Sequence, residues 1–185
     1  MSFIECIPYW TIANQTEIVG MGDSAVTSEA AKRYLVICNV SKKNNVKFLI
    51  NAAVAYKFEV ILVGWKKVED LHVDPDLKFE HMDTLDEVVV FLSERSIPLV
   101  GIEIVDGAKS VVDDPFTKSI AFMPGNEGTG MSKHQKKLSS SFVYIPQYGS
   151  GTASLNVYIA TTLIMHRFNL WDIGTTDPVV VESCK

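Results

Sequence analysis

From Arg33 onward the apolar positions fall into two alternating patterns: short unbroken runs, and longer stretches with apolar residues three or four apart. Tyr34–Val40 (YLVICNV) is a run of the length expected for a strand buried on both faces. Over Asn45–Tyr56 the residues Val46, Leu49, Ile50, Ala53 and Val54 recur at helical spacing, which predicts an amphipathic helix. Val60–Val63 is the next predicted strand, stopped by Gly64. Thr84 precedes Glu87 at the spacing of a capping box, and Leu85, Val88, Val89 and Leu92 then follow one helical face. Leu99–Val105, Ser119–Met123 and Ser141–Ile145 read as further strands. A last helix is predicted from about Ala153 to Phe168, with Leu155, Tyr158, Ile159, Thr162, Leu163 and His166 marking its turns.

Strands that alternate with helices imply a doubly wound α/β domain, its mostly parallel sheet covered on both faces. Ligands of such sheets sit outside the carboxyl ends of the strands. Chemistry is therefore expected in the loops after Val40, Met123 and Ile145. The predicted domain runs over 33–172. Residues 1–32 show no clean period and read as an N-terminal extension, and 173–185 as a tail.

Composition narrows the picture. The chain of 185 residues has length enough for one domain with a sizeable core. Its formal net charge of -5 gives no general attraction to phosphate, so any RNA site has to be a local patch or be helped by a protein partner. The three cysteines (Cys6, Cys38 and Cys184) are odd in number and scattered, which excludes a disulfide framework and zinc-ligand spacing. His72, His81, His134 and His166 also lack metal-like spacing, so no metal is expected. A cytoplasmic, reducing location fits. The sequence shows no secretory signal and no run of about 20 apolar residues that would span a membrane.

Two loops carry the candidate chemistry. Segment 124–132 reads Pro-Gly-Asn-Glu-Gly-Thr-Gly-Met-Ser, following a strand and preceding a short predicted helix. Met131 stands where a nucleoside-triphosphate loop needs lysine, and the carboxylate of Glu127 repels a triphosphate, so that reading is excluded. Segment 145–157 reads Ile-Pro-Gln-Tyr-Gly-Ser-Gly-Thr-Ala-Ser-Leu-Asn-Val. Pro146 fixes φ, while Gly149 and Gly151 allow left-handed turns, so the loop can present backbone groups to the edge of a flat polar ligand such as adenine. Ser154 and Asn156 then fall in the first turn of the last helix, where Thr152 or Ser154 can equally serve as a plain cap.

Phe122-Met-Pro-Gly-Asn-Glu-Gly-Thr-Gly-Met131 resembles the second motif of SpoU/TrmH RNA ribose methyltransferases, and Ile145-Pro followed by Ser154-Leu-Asn-Val157 resembles the third. Asn39-Val40 with Asn45-Val46-Lys-Phe-Leu-Ile-Asn51 is similar to the first. The resemblance covers roughly Tyr34 to Trp171. It implies the SPOUT fold with a C-terminal trefoil knot, a homodimer, S-adenosylmethionine as cofactor, and methyl transfer to a ribose 2′-hydroxyl of tRNA or rRNA. It further implies main-chain cofactor contacts from Gly125, Ile145 and Leu155, a pocket wall shaped by Asn126 and Pro146, and Met123 and Asn156 beside the cofactor. Asn45, Glu127, Ser154 and Asn156 match positions that order the first motif and the acceptor, with Glu127 suited to hold an arginine or lysine.

Three departures qualify this. The first-motif arginine, which the family ties most directly to catalysis, is Asn51 here, uncharged and unable to take a proton. Lys47 stands where glycine is usual and lies four residues from Asn51, hence beside it on a helix. Lys47 therefore either replaces part of the lost charge or is an exposed lysine on a solvated face. The loop 145–155 is one residue longer than usual, with Gly149-Ser-Gly151 absorbing the change. Lys42, Lys43, Lys133, His134, Lys136 and Lys137 either form a phosphate-binding rim or are scattered solubilising charges. Trp10, Trp65 and Trp171 read as core or interface anchors. The function thus expected is a ribose methyltransferase; the alternative is a degenerate relative serving as an RNA-binding or assembly subunit.

Overall fold

A computed structural model describes residues 31–65, 79–149 and 154–176. All lie in one unit, Ala31–Lys185. The expected extension, up to residue 30, and the end of the tail from 177 lie outside the described residues, as does Trp10.

The elements run β1 (Arg33–Ile37), α1 (Lys43–Ala55), β2 (Glu59–Val63), β3 (Phe79–Met82), α2 (Leu85–Ser93), β4 (Leu99–Ile102), β5 (Lys109–Ser110), β6 (Ile120–Pro124), α3 (Lys133–Leu138), β7 (Ser141–Tyr144) and α4 (Val157–Thr176). A single 3₁₀ turn, Val111–Asp113, follows β5. The strands form one sheet in the order β3-β2-β1-β6-β4-β7-β5. Every pairing in it is parallel, as in β1 with β6 (Tyr34 opposite Ala121) and β4 with β7 (Ile102 opposite Val143).

Alternation along the strands feeds two cores, because successive side chains leave a strand on opposite faces. Leu35 and Ile37 join one core with Val46, Leu49 and Ile50 of α1 and Ile164, Met165 and Phe168 of α4. Tyr34 and Val36 join the other with Val88 and Leu92 of α2 and Met131. Phe58, Phe116, Phe122, Phe168 and Trp171 form an aromatic cluster in the first core, and Trp65 packs against it. Both described tryptophans are core anchors, as expected.

Several boundaries differ from expectation, for local reasons. The first strand ends at Ile37 rather than Val40 because Asn39 turns left-handed, with φ 64°. The strand predicted to reach Val105 stops at Ile102, where Glu103 turns to accept a hydrogen bond from Met131 N. Thr84 caps α2 as expected, its hydroxyl accepting from Glu87 N while the Glu87 carboxylate accepts from Asp83 N. Helix α4 begins at Val157, so Ser154 and Asn156 precede it instead of lying in its first turn. No helix among the described residues is long and apolar enough to cross a membrane.

Candidate active site

The loop after β6 is fixed by its own side chains. Gly125 is obligatory, since a Cβ there would meet Gly130 C and Met131 N at 2.7 Å, backbone that cannot yield. The chain folds back so that Asn126 and Gly130 exchange backbone hydrogen bonds of 3.0 Å each. The Asn126 side chain uses its full capacity: Oδ1 accepts from Gly128 N and Thr129 N, and Nδ2 donates to Asn39 O and Ser41 Oγ. Gly130 has φ +66° and lies over Glu103. Beyond the loop, Ser132 and Gln135 form a capping box on α3, and Gln135 Nε2 reaches back to Cys38 O.

Glu127 ties this loop to the start of α1. Oε2 accepts from Ser41 N at 3.0 Å, while Oε1 accepts from Lys42 N at 3.0 Å and from Asn45 Nδ2 at 2.8 Å. The partners are thus two backbone amides and a side-chain amide at a helix N-terminus, which favours negative charge, and not the arginine or lysine expected. Partial burial by itself raises the Glu127 pKa, but the Asn45 amide and the Ser41 and Lys42 N–H donors outweigh it and bring the pKa down to about 2. Such a carboxylate is an anchor and a poor proton acceptor near neutral pH.

Beside this loop, at the carboxyl edge of the sheet, lies a cavity of about 510 Å³. Gly125, Asn126, Glu127, Ile145, Ser154, Leu155 and Asn156 all line it, so the second- and third-motif candidates meet in one place. Asn45 is buried behind Glu127. Met123 is fully buried in β6, behind the wall, and Pro146 lies half-buried off it. Lys47, half-buried, and Asn51, exposed, also lie off the wall. Lys42 is the basic residue of the lining. Asn156 acts locally as a cap on α4, where its Oδ1 accepts from Tyr158 N at 2.9 Å.

Of the other basic residues, His134 pairs with Asp86 at 3.0 Å and Lys136 approaches Glu103 at 4.0 Å, while Lys133 and Lys137 are exposed on α3. Glu103 is the residue that sequence reasoning missed. It lines the cavity and accepts from Met131 N at 2.7 Å. The available signal was a carboxylate interrupting an apolar run, near the edge where parallel sheets bind ligands.

A parallel sheet with a glycine-bordered cavity at its carboxyl edge defines an α/β fold of the kind whose ligands sit at that edge. The chain belongs to the SpoU rRNA Methylase family, whose model matches residues 32–166. Among solved structures it is similar to the SpoU methyltransferase AviRb from Streptomyces viridochromogenes in complex with the cofactor AdoMet, at 22% identity and TM-score 0.68, covering 80% of this chain and 60% of that one. An AdoMet-bound rRNA methyltransferase from Sinorhizobium meliloti shares 19% identity at TM-score 0.63, over 77% of this chain and 57% of that one. The A. aeolicus TrmH/SpoU tRNA modifying enzyme shares 17% identity at TM-score 0.65, over 80% and 78%. At these identities the likeness shows the fold. The chain spans about three fifths of the length of AviRb. No curated protein matches it by sequence.

Proposed function

We propose that this chain binds S-adenosylmethionine in the cavity and transfers its methyl group to a ribose 2′-hydroxyl of tRNA or rRNA, acting as a homodimer. The observation that carries the reading is the convergence of the Glu127-locked loop and the 145–156 loop on one cavity. Its volume of about 510 Å³ falls in the range of about 300–1,000 Å³ usual for small-molecule sites. Ile102, Ile145, Leu155 and Val157 offer apolar surface to an adenine, and the loops offer backbone groups to its edge. Glu103 and Glu127 against Lys42 in the lining disfavour a polyphosphate.

Bound there, the cofactor supplies an already electrophilic methyl group, so no metal is required. The chain's part is positioning. Glu127 and Asn45 hold the loop against α1, Asn126 keeps its curvature, and Ser154 and Asn156, exposed at the cavity, offer hydroxyl and amide groups to orient a ribose. Lys42, exposed at the rim, suits a phosphate. Exposed Ile159, Leu163, Leu170 and Ile173 make an apolar stripe along α4, and exposed Phe48 of α1 packs against Tyr158 of the same helix, which supports pairing with a second copy. Insertion of β7 between β4 and β5, both earlier in the chain, supports the threaded C-terminus implied by the family.

A second reading, a non-catalytic RNA-binding or assembly subunit, is favoured by the exposed, uncharged Asn51 in the family's arginine position. Two measurements decide. Calorimetric titration with S-adenosylmethionine is expected to show one site per chain; no binding overturns the proposal. Labelled methyl transfer to total RNA is then compared for the parent, Asn51→Arg and Lys47→Ala. Transfer by the parent sustains catalysis, and transfer by Asn51→Arg alone gives the case to the second reading. A lysine that replaces the lost charge would make Lys47→Ala lose activity.

A further inference from the structure

We infer that Glu103 is a ligand-binding residue of this cavity, its carboxylate accepting hydrogen bonds from the vicinal hydroxyls of a ribonucleoside; the inference rests on the adenosyl-cofactor reading above. Glu103 directly follows β4, which lies between β6 and β7, so it stands inside the carboxyl edge rather than at a margin. Its Oε2 accepts from Met131 N at 2.7 Å. The second-motif loop is laid so closely over it that a Cβ on Gly130 would come within 2.8 Å of that oxygen. Swinging the side chain away would leave Met131 N without this acceptor.

The other oxygen is differently placed. Among the described residues the neighbour of Oε1 is Lys136 Nζ at 4.0 Å, beyond hydrogen-bonding reach, and the side chain keeps 21% exposure in a cavity it lines. A carboxylate pinned by one oxygen therefore offers open lone pairs on the other. A ligand entering the cavity displaces water from this oxygen, and a ligand without donors would leave it unsatisfied at a cost. Bound ligand donors are strongly selected at that point.

The charge balance chooses among donors. Lys136 already offsets much of the Glu103 charge, so a second cation gains little, whereas a neutral hydroxyl pair satisfies the oxygen without changing the balance. Ile102, adjacent in sequence and only partly buried, lines the cavity and presents apolar surface for the base attached to such a sugar. Glu127 is less suited to this role, because three protein donors already take up most of its acceptor capacity.

Calorimetric titration of the full chain with S-adenosylhomocysteine and with its 2′,3′-dideoxy form, on the natural protein and on Glu103→Gln, tests the inference. Glutamine keeps an acceptor for Met131 N but turns a donor nitrogen toward the cavity. The natural protein is expected to bind the dideoxy ligand about ten- to a hundredfold more weakly, the range of a hydrogen bond to a charged group. Glu103→Gln is expected to weaken the parent ligand by a similar factor and to discriminate little between the two. Equal affinity of the natural protein for both ligands overturns the inference, and this comparison does not depend on the variant folding. Full discrimination retained by Glu103→Gln overturns it as well. Failure of the natural protein to bind either ligand sinks the cofactor reading itself, a distinct result from binding without discrimination.

Discussion

In the loop between β6 and α3 the Asn126 side chain makes four hydrogen bonds and the Glu127 carboxylate three, most of them to residues about 85 positions away in sequence. In the loop between β7 and α4, Gln147, Tyr148, Gly149, Ser154, Leu155 and Asn156 are all exposed. The side-chain hydrogen bond found there among the described residues runs from Tyr158 N to Asn156 Oδ1. The two jaws of the cavity thus differ in where their order comes from. One is set by protein contacts before any ligand arrives, and its preorganisation lowers the cost of binding. On the proposed function, the other takes its partners from the cofactor or a second copy of the chain.

The sharpest break of this comparison is a pair of glycine substitutions. Gly125→Ala drives a methyl into backbone at 2.7 Å and forces the loop open, at a cost of about 3 kcal/mol. Gly149→Ala meets nothing within 4 Å and stays within about 0.5 kcal/mol. Urea unfolding midpoints measure both. Cofactor affinity is expected to collapse in the first variant and to change little in the second. Equal losses would show that both jaws are equally fixed.

This asymmetry also explains what is legible in the chain. Buried strands such as Tyr34–Ile37 and Val60–Val63, and the capped α2, follow from apolar runs and a hydroxyl–glutamate spacing, which are local signals. Edge strand β3 escapes the pattern because Phe79-Glu-His-Met82 has two exposed polar residues and no apolar run, and β5 because two residues carry no period. At the site, motif resemblance finds Glu127 and Asn45, which do meet, but suggests an arginine or lysine where the structure has backbone amides. Backbone amides at a helix start are invisible in a residue alphabet, whereas lysine and arginine are not. Periodicity places Asn156 inside the helix because apolar spacing marks turns and not the residue at which backbone bonding begins. It absorbs Glu103 into a strand for the same reason.

Removing the Glu127 anchor is the next largest perturbation. Glu127→Ala leaves the Ser41 and Lys42 amides and the buried Asn45 side chain without their shared acceptor, an expected cost of about 2 kcal/mol in thermal or urea unfolding. Charge matters as well as geometry. The folded pKa of about 2 lies below the ordinary 4.5, so the ionised form is bound more tightly in the folded chain. Its contribution is complete above pH 4.5 and is lost as the pH falls from there toward 2. Stability measured across that window should fall less steeply in Glu127→Gln than in the natural chain. Parallel curves would show that the carboxylate is ordinary and the jaw less fixed than its hydrogen bonds indicate.

The smallest effect concerns the other jaw and separates two roles of one residue. Asn156→Ala removes the cap from α4, and about 1 kcal/mol of stability should go with it. Asn156→Asp keeps the acceptor for Tyr158 N and adds negative charge at a helix N-terminus, so its unfolding midpoint should return to that of the natural chain or slightly above. The aspartate lacks the amide donor. If that donor orients the ribose, methyl transfer stays low in Asn156→Asp although the helix is fully capped. Recovery of both stability and activity would reduce Asn156 to a cap and leave Ser154 and Gln147 as the polar side chains of this jaw, among the described residues, that can orient the acceptor.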